Sequence, residues 1–267
     1  MKRTAILLTS LCIAASALAQ GLYWQTKTEG SVAEGTTENY AIPKMFKTVS
    51  TGGANDGTVM ILRLDKKVIW SIDQKKKTYS EVTFDEMEAM LQKAGGKMDA
   101  AMEKMKKEMA DMPKEQREMM MKMMGGNMPG TDADAAIDVK RTAEKKRISG
   151  YDCAKYVVRR GGSEFMSLWV TKDVKGFDNM MADWKEFAKR MSAMSARFGK
   201  GITDAYKDID GFPMQTTMTM MNTTVTNTVT KIEQRATSAK EFEVPAGYTK
   251  VKSDLEDAMK KMESDED

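Results

Sequence analysis

The chain has 267 residues, with 42 basic and 39 acidic side chains, a net charge of +3 and no histidine. Near-balanced charge excludes the global basic excess by which proteins hold nucleic acid or acidic membranes. The missing imidazole excludes Ser-His-Asp and Cys-His nucleophilic sites, His-bearing zinc or iron sites and the commonest general base near neutral pH.

At the N-terminus, Met1, Lys2 and Arg3 precede an apolar run from Ala5 to Ala19. Positive start, short apolar core and small-residue exit form the pattern of a secretory signal, with cleavage expected after Ala19. Loss of Lys2 and Arg3 lowers the net charge from +3 to +1. The run is shorter than the roughly 20 residues a spanning helix needs. A periplasmic or otherwise exported protein without a transmembrane segment in the mature chain is expected. An alternative takes Cys12 as a lipid acceptor, but bulky Leu11 stands where a small residue belongs. Without Cys12, Cys153 has no intramolecular disulfide partner, and its place at the start of an apparent strand marks it as buried filler.

A first strand is expected around Leu22 to Thr28, and the Gly-, Thr- and Asn-rich stretch from Ser31 to Asp56, broken by Pro43, reads as turns and irregular edge strands. Runs at Thr58–Leu64, Val68–Ile72 and Lys77–Val82 are rich in β-branched and aromatic residues. Their short polar spacers allow only antiparallel connections. Both alternating sets are apolar, Met60, Leu62 and Leu64 against Val59 and Ile61, and Val68, Trp70 and Ile72 against Ile69. Two apolar faces mean that both are covered, or that one lines an apolar cavity.

From Phe84 the period changes to about 3.6 residues. Met87, Met90 and Leu91 lead to Gly95-Gly96, and Met98, Met102, Met105, Met109 and Met112 then form one helical stripe. Pro113 begins a further helix that Gly125-Gly126 ends, and a linker runs to Asp134. Strands return at Ile137, with Tyr156 and Val158 alternating around Val157, and Met166, Leu168 and Val170 around Trp169. Gly161-Gly162 between them is a hairpin signal. An amphipathic helix carries Met180, Met181, Trp184, Phe187, Met191, Met194 and Phe198 on one side. Gly211-Phe212-Pro213 opens a Thr-rich strand pair in which Met214, Met218 and Met220 alternate with Gln215, Thr217 and Thr219. A short helix from Ser253 to Met262 and an acidic tail, Glu263 to Asp267, close the chain. The expected class is α+β, a mainly antiparallel sheet with helices inserted between meanders.

No Gly-x-x-x-x-Gly-Lys phosphate loop and no Gly-x-Gly-x-x-Gly turn is present. Acidic residues are abundant, yet none lies in a setting that singles out a two-carboxylate hydrolase. The 27 methionines admit three readings. They fill helical core positions in place of Leu, they form a flexible surface for variable apolar ligands, or Met119, Met120, Met121, Met123 and Met124 are thioether ligands for Cu(I). No cofactor and no metal site is called for. Trp24, Trp70, Trp169 and Trp184 fall on elements with apolar neighbours. With Trp70 and Trp169 on the concave face and Trp184 opposite, they would wall an apolar cavity.

The meander Asp65-Lys66-Lys67-Val68-Ile69-Trp70-Ser71-Ile72-Asp73 with Lys77-Thr78-Tyr79, the segment Ile148 to Tyr156, the Leu168-Trp169-Val170 strand and the ending Phe242-Glu243-Val244-Pro245-Ala246-Gly247-Tyr248 resemble an uncharacterised family of exported bacterial domains, domain-of-unknown-function 4412. That family is similar to the lipoprotein carriers LolA and LolB. The resemblance covers residues 55 to 251 apart from the Met-rich stretch. It implies a single curved half-barrel over residues 20–252, interrupted by a Met-rich helical insertion at 85–130, with amphipathic helices over its concave face or mouth. It also implies a non-enzymatic carrier for a lipid or lipoprotein acyl chain. The expected ligand-binding residues are Trp70, Tyr79 and Trp169 on the sheet and Met180 and Trp184 on the covering helix. The alternative is a structural module that docks a protein partner through the Met-rich helices.

Overall fold

In the computed structural model, residues 18–30, 34–90, 137–190, 209–220 and 223–253 are described, with a few single positions between 92 and 107. Twelve strands join one sheet: β1 Leu18–Gly30, β2 Gly35–Ile42, β3 Met45–Thr51, β4 Thr58–Arg63, β5 Val68–Asp73, β6 Thr78–Thr83, β7 Ile137–Ile148, β8 Tyr151–Arg160, β9 Ser163–Thr171, β10 Phe212–Met220, β11 Thr223–Ser238 and β12 Thr249–Lys250. Their order across the sheet is β12-β6-β5-β4-β3-β2-β1-β11-β10-β9-β8-β7. Every pairing is antiparallel except that of the two-residue β12 with β6. A sheet this wide curls rather than lying flat. The two sequence-local meanders, β1 to β6 and β7 to β11, are fused by the long β1–β11 ladder from Leu18↔Ser238 to Gly30↔Val225. β1 therefore begins one residue before the expected cleavage triplet ends, at Leu18.

The stretch read as turns and irregular edge strands is instead two regular strands, β2 and β3, in the middle of the sheet. Pro43 does not break the pairing, because it sits in the two-residue turn between the partners Ile42 and Met45. Its fixed φ suits the first turn position, and Lys44 accepts the left-handed second position with φ 65°. The polar composition that hid these strands is Thr-rich, and β-branched Thr fits a half-buried pleated surface. The hairpin signal at Gly161-Gly162 holds, with φ values of 55° and 85° between Arg160 and Ser163. Ser149-Gly150 makes the same kind of turn, with φ values of 48° and 89°.

Two rows of register partners show how both faces of the first meander are used. Leu22, Ala41, Phe46, Leu62 and Ile69 stand side by side from β1 to β5 on one face. The next row, Tyr23, Tyr40, Lys47, Ile61, Trp70 and Glu81, points to the other face by the two-residue period. The first face carries helix α2, Phe177–Arg190, and a helix α1 described over residues 84–90. Phe187 of α2 and Met87 of α1 pack with Leu62, Ile69 and Phe84. The second face is covered by the C-terminal segment, whose Phe242, Val244 and Tyr248 pack on Ile61, Trp70 and Ile72. Two covered faces satisfy the apolar alternation seen in the sequence.

Local devices fix these covers. Thr83 and Glu86 form a reciprocal cap on α1: the Thr83 N–H donates to Glu86 Oε2 at 2.7 Å, and the Glu86 N–H donates to Thr83 Oγ1 at 3.2 Å. The backbone N–H of Lys44 donates to Asp183 at 2.7 Å, and its ammonium pairs with Asp183 and Glu186, tying α2 to the β2–β3 turn. Arg63 is only 4% exposed, and it binds the Phe242 carbonyl at 3.2 Å together with Asp65 and Glu243. These bonds lock the C-terminal cover to β4 and leave the buried guanidinium fully paired. The Met stripe from Met98 to Met112, the five Met from Met119 to Met124, Met191, Met194 and Phe198, and all of the expected Ser253–Met262 helix after Ser253 lie outside the described residues, as do residues 1–17.

Candidate functional site: a cleft between helix and sheet

The apolar side of α2 and strands β1, β2, β3, β10 and β11 line a cleft of about 500 Å³. Its walls are Trp24, Phe46, Phe177, Met180, Trp184 and Phe212. The rings meet edge to face: Trp24 and Phe212 at 5.8 Å and 84°, Phe177 and Phe212 at 5.4 Å and 83°, Phe46 and Trp184 at 6.1 Å and 73°. Such contacts hold rings in fixed orientations and add to their burial. Trp184 nevertheless remains 47% exposed, the wall that fronts open space. Met60, 52% exposed, stands beside Thr48 of the cleft in the β3–β4 register.

Asn39, Thr48, Thr216 and Asn227 bring polar groups to the floor, and Asn39, Thr48 and Asn227 are hydrogen-bonded to protein partners. Asn39 donates to the Trp24 carbonyl at 3.4 Å and to Thr37 at 3.3 Å, and accepts from Thr48 at 3.0 Å. Asn227 accepts from Thr28 at 2.7 Å. A guest thus meets mainly carbon and sulfur, the lining suited to an apolar ligand oriented by few polar contacts. Tyr40 has its pKa pushed up to about 12, first by burial and then by its 2.8 Å hydrogen bond to Glu38, so the phenol stays protonated at neutral pH. Burial pushes the Lys47 ammonium down. By register both side chains stand in the row of Tyr23, away from the helix.

The structure brings Met180 and Trp184 together in this cleft and does not bring the other three expected residues to it. Trp70 is buried on the opposite face, its Nε1–H donating to Glu81 at 2.7 Å with Lys66 5.3 Å over the ring. Tyr79 packs in the same cluster, under Phe242. Trp169 is half-buried, flanked by Lys146 at 5.6 Å and Lys155 at 5.9 Å. Parity is the physical reason: Trp70 pairs with Ile61, one residue out of step with the Leu62 that faces α2. Trp24 was named only as a tryptophan among apolar neighbours, and Phe46, Phe177 and Phe212 were not expected at the site. The two-residue period of β1 sets Trp24 on the face of Leu22, but only the β1–β2–β3 register puts it next to α2. Cys153 is buried as expected, and burial pushes its thiol pKa up.

Among the described residues no group of three or more His, Cys, Asp or Glu is placed to hold a metal ion, and no helix is long and apolar enough to cross a membrane. What fold and cleft define is an open antiparallel sheet with a helix-covered apolar recess. The chain belongs to the family described as domain of unknown function DUF4412, whose model matches residues 85–248, more than half of the chain. That match runs through the Met-rich stretch, which the resemblance drawn from the sequence had set aside. No curated protein matches the chain. Similar solved structures include PNGF-II in the C2 space group, with 11% identity over 91% of this chain and 32% of that one and a TM-score of 0.39. MucB shares 9% identity over 88% of this chain and 61% of its own, with a TM-score of 0.39. MucB in complex with MucA(peri) gives 10% over 88% and 57%, with a TM-score of 0.37. The chain spans less than two thirds of the length of these proteins.

Proposed function

We propose that this is an exported, non-enzymatic binding or carrier protein that takes an apolar chain, such as a lipid or lipoprotein acyl chain, into the cleft between α2 and the sheet. On this reading the α2-bearing side is the concave face of a half-barrel and α2 is the element over its mouth. The observation that carries the reading is the cleft's lining, in which aromatic rings and thioethers converge while Asn39 and Thr48 on the polar floor are bonded to each other. Affinity comes from burial, at about 0.8 kcal/mol for each methylene removed from water. Titration with a series of uncharged alkanols, read by tryptophan fluorescence from Trp24 and Trp184, tests it. Each added methylene should tighten binding about fourfold until the cleft is full. Absence of any saturable change, or a response independent of chain length, would contradict the reading.

A further inference from the structure

A second cavity, of about 480 Å³, abuts the first. Ile209 and Gly211 line the apolar cleft, whereas Asp210 between them lines the second cavity. Val170 of the second cavity is the register partner of Pro213 of the first. Gly211 lets the chain pass this closely: its φ is +131°, and a Cβ there would stand 2.4 Å from the Thr171 carbonyl oxygen. Tyr156, also in the second cavity, packs with Ile209 in one apolar cluster.

The second cavity differs in charge. Five cations, Arg141, Lys145, Lys146, Arg147 and Lys172, face three carboxylates, Asp152, Asp173 and Asp210. Lys172 is paired with Asp210, and Arg147 stands opposite Asp152 in the β7–β8 ladder. Lys146 donates to Gln215 at 3.2 Å and lies over Trp169. Arg141 and Lys145 have no ion pair or hydrogen bond among the described residues, and both are exposed. They flank the register shift in β7: Arg141 faces Tyr156 and Lys145 faces Ala154, so residues four apart in sequence stand only two positions apart along β8. The bulge thereby turns these two cations to the same face, roughly 7 Å apart along the strand.

Resting on the apolar-chain reading above, we infer that the ligand is an anionic amphiphile, whose chain occupies the cleft beside Trp184 and whose anionic head lies against Arg141 and Lys145. The head contact is solvent-exposed, so it is screened by salt. The test compares dodecyl phosphate, dodecanol and inorganic phosphate on the whole mature protein at low ionic strength, in the wild type and in an Arg141→Gln/Lys145→Gln variant. Dodecyl phosphate should bind about tenfold tighter than dodecanol, an advantage that added salt erodes. The double variant should remove that advantage while leaving the affinity for dodecanol unchanged, which also shows that it folds. Equal binding of the two probes to the wild type, or a preference that survives in the variant, overturns the head-group inference and leaves the apolar-chain reading standing. Failure of both chain probes to bind overturns both. Inorganic phosphate that binds as tightly as dodecyl phosphate would show a plain anion site and overturn the amphiphile.

Discussion

Trp70 and Trp184 are both tryptophans among apolar neighbours, yet their surroundings give them opposite roles. Trp70 is 7% exposed and its indole N–H is taken by Glu81, so it is a core side chain. Trp70→Ala should lower unfolding free energy by about 3–5 kcal/mol in a denaturant titration, the usual cost of emptying a buried aromatic site. Trp184 is half-exposed and meets Phe46 edge to face and Phe187 at a 46° tilt. Trp184→Ala should cost about 1 kcal/mol of stability or less, while weakening alkanol binding about tenfold. Calorimetric titration and thermal melting of the same variant separate these two effects. The sequence marked both residues as cavity candidates because aromatic character is visible without partners. It could not tell them apart, since strand parity relative to a distant helix depends on which strands pair.

At the level of elements, the C-terminal cover is the piece whose importance the residues least advertise. Phe242 is fully buried under Ile61 and Trp70, and it arrives there through a four-residue 3-10 turn capped by Ser238 and Glu241. Phe242→Ala should destabilise the protein by about 3–5 kcal/mol and raise amide exchange in β4 and β5 before β8 and β9. Acid should loosen the same cover. The hydrogen bond from Arg63 holds the Asp65 carboxyl below its ordinary range. Burial alone would raise Glu243, but Lys66 and Arg63 bring it below its ordinary value. A carboxyl depressed in the folded state binds its proton more weakly there than when unfolded. Its stabilisation is therefore complete above the ordinary values of 3.8 and 4.5 and is lost as pH falls below them. The melting temperature should drop between about pH 5 and pH 3, and Glu243→Gln should flatten part of that drop. The meander β4 to β6 and the hairpin at Gly161-Gly162 were legible because their signals are local: alternation, short spacers and glycine at positive φ. β2 and β3 were hidden by a polar, Thr-rich composition, and β12 is too short for any pattern to register.

Across the whole molecule, the α+β class and the doubly apolar sheet could be read from the chain, whereas the joining of its two meanders could not. That junction is the β1–β11 ladder, between residues more than 190 positions apart, as in Gly30↔Val225. No local pattern encodes such a pairing, and it is this pairing that sets Trp24 beside Phe212 and so makes the cleft. The account stands on that cleft being a receptacle for an apolar chain. The most direct measurement is a crystal structure with a bromine-tagged alkanol, locating the tag by its anomalous signal. The account expects bromine between α2 and the sheet, within contact of Trp24, Met180 or Trp184. Bromine found only elsewhere on the protein, or nowhere on it at saturating ligand, would contradict it.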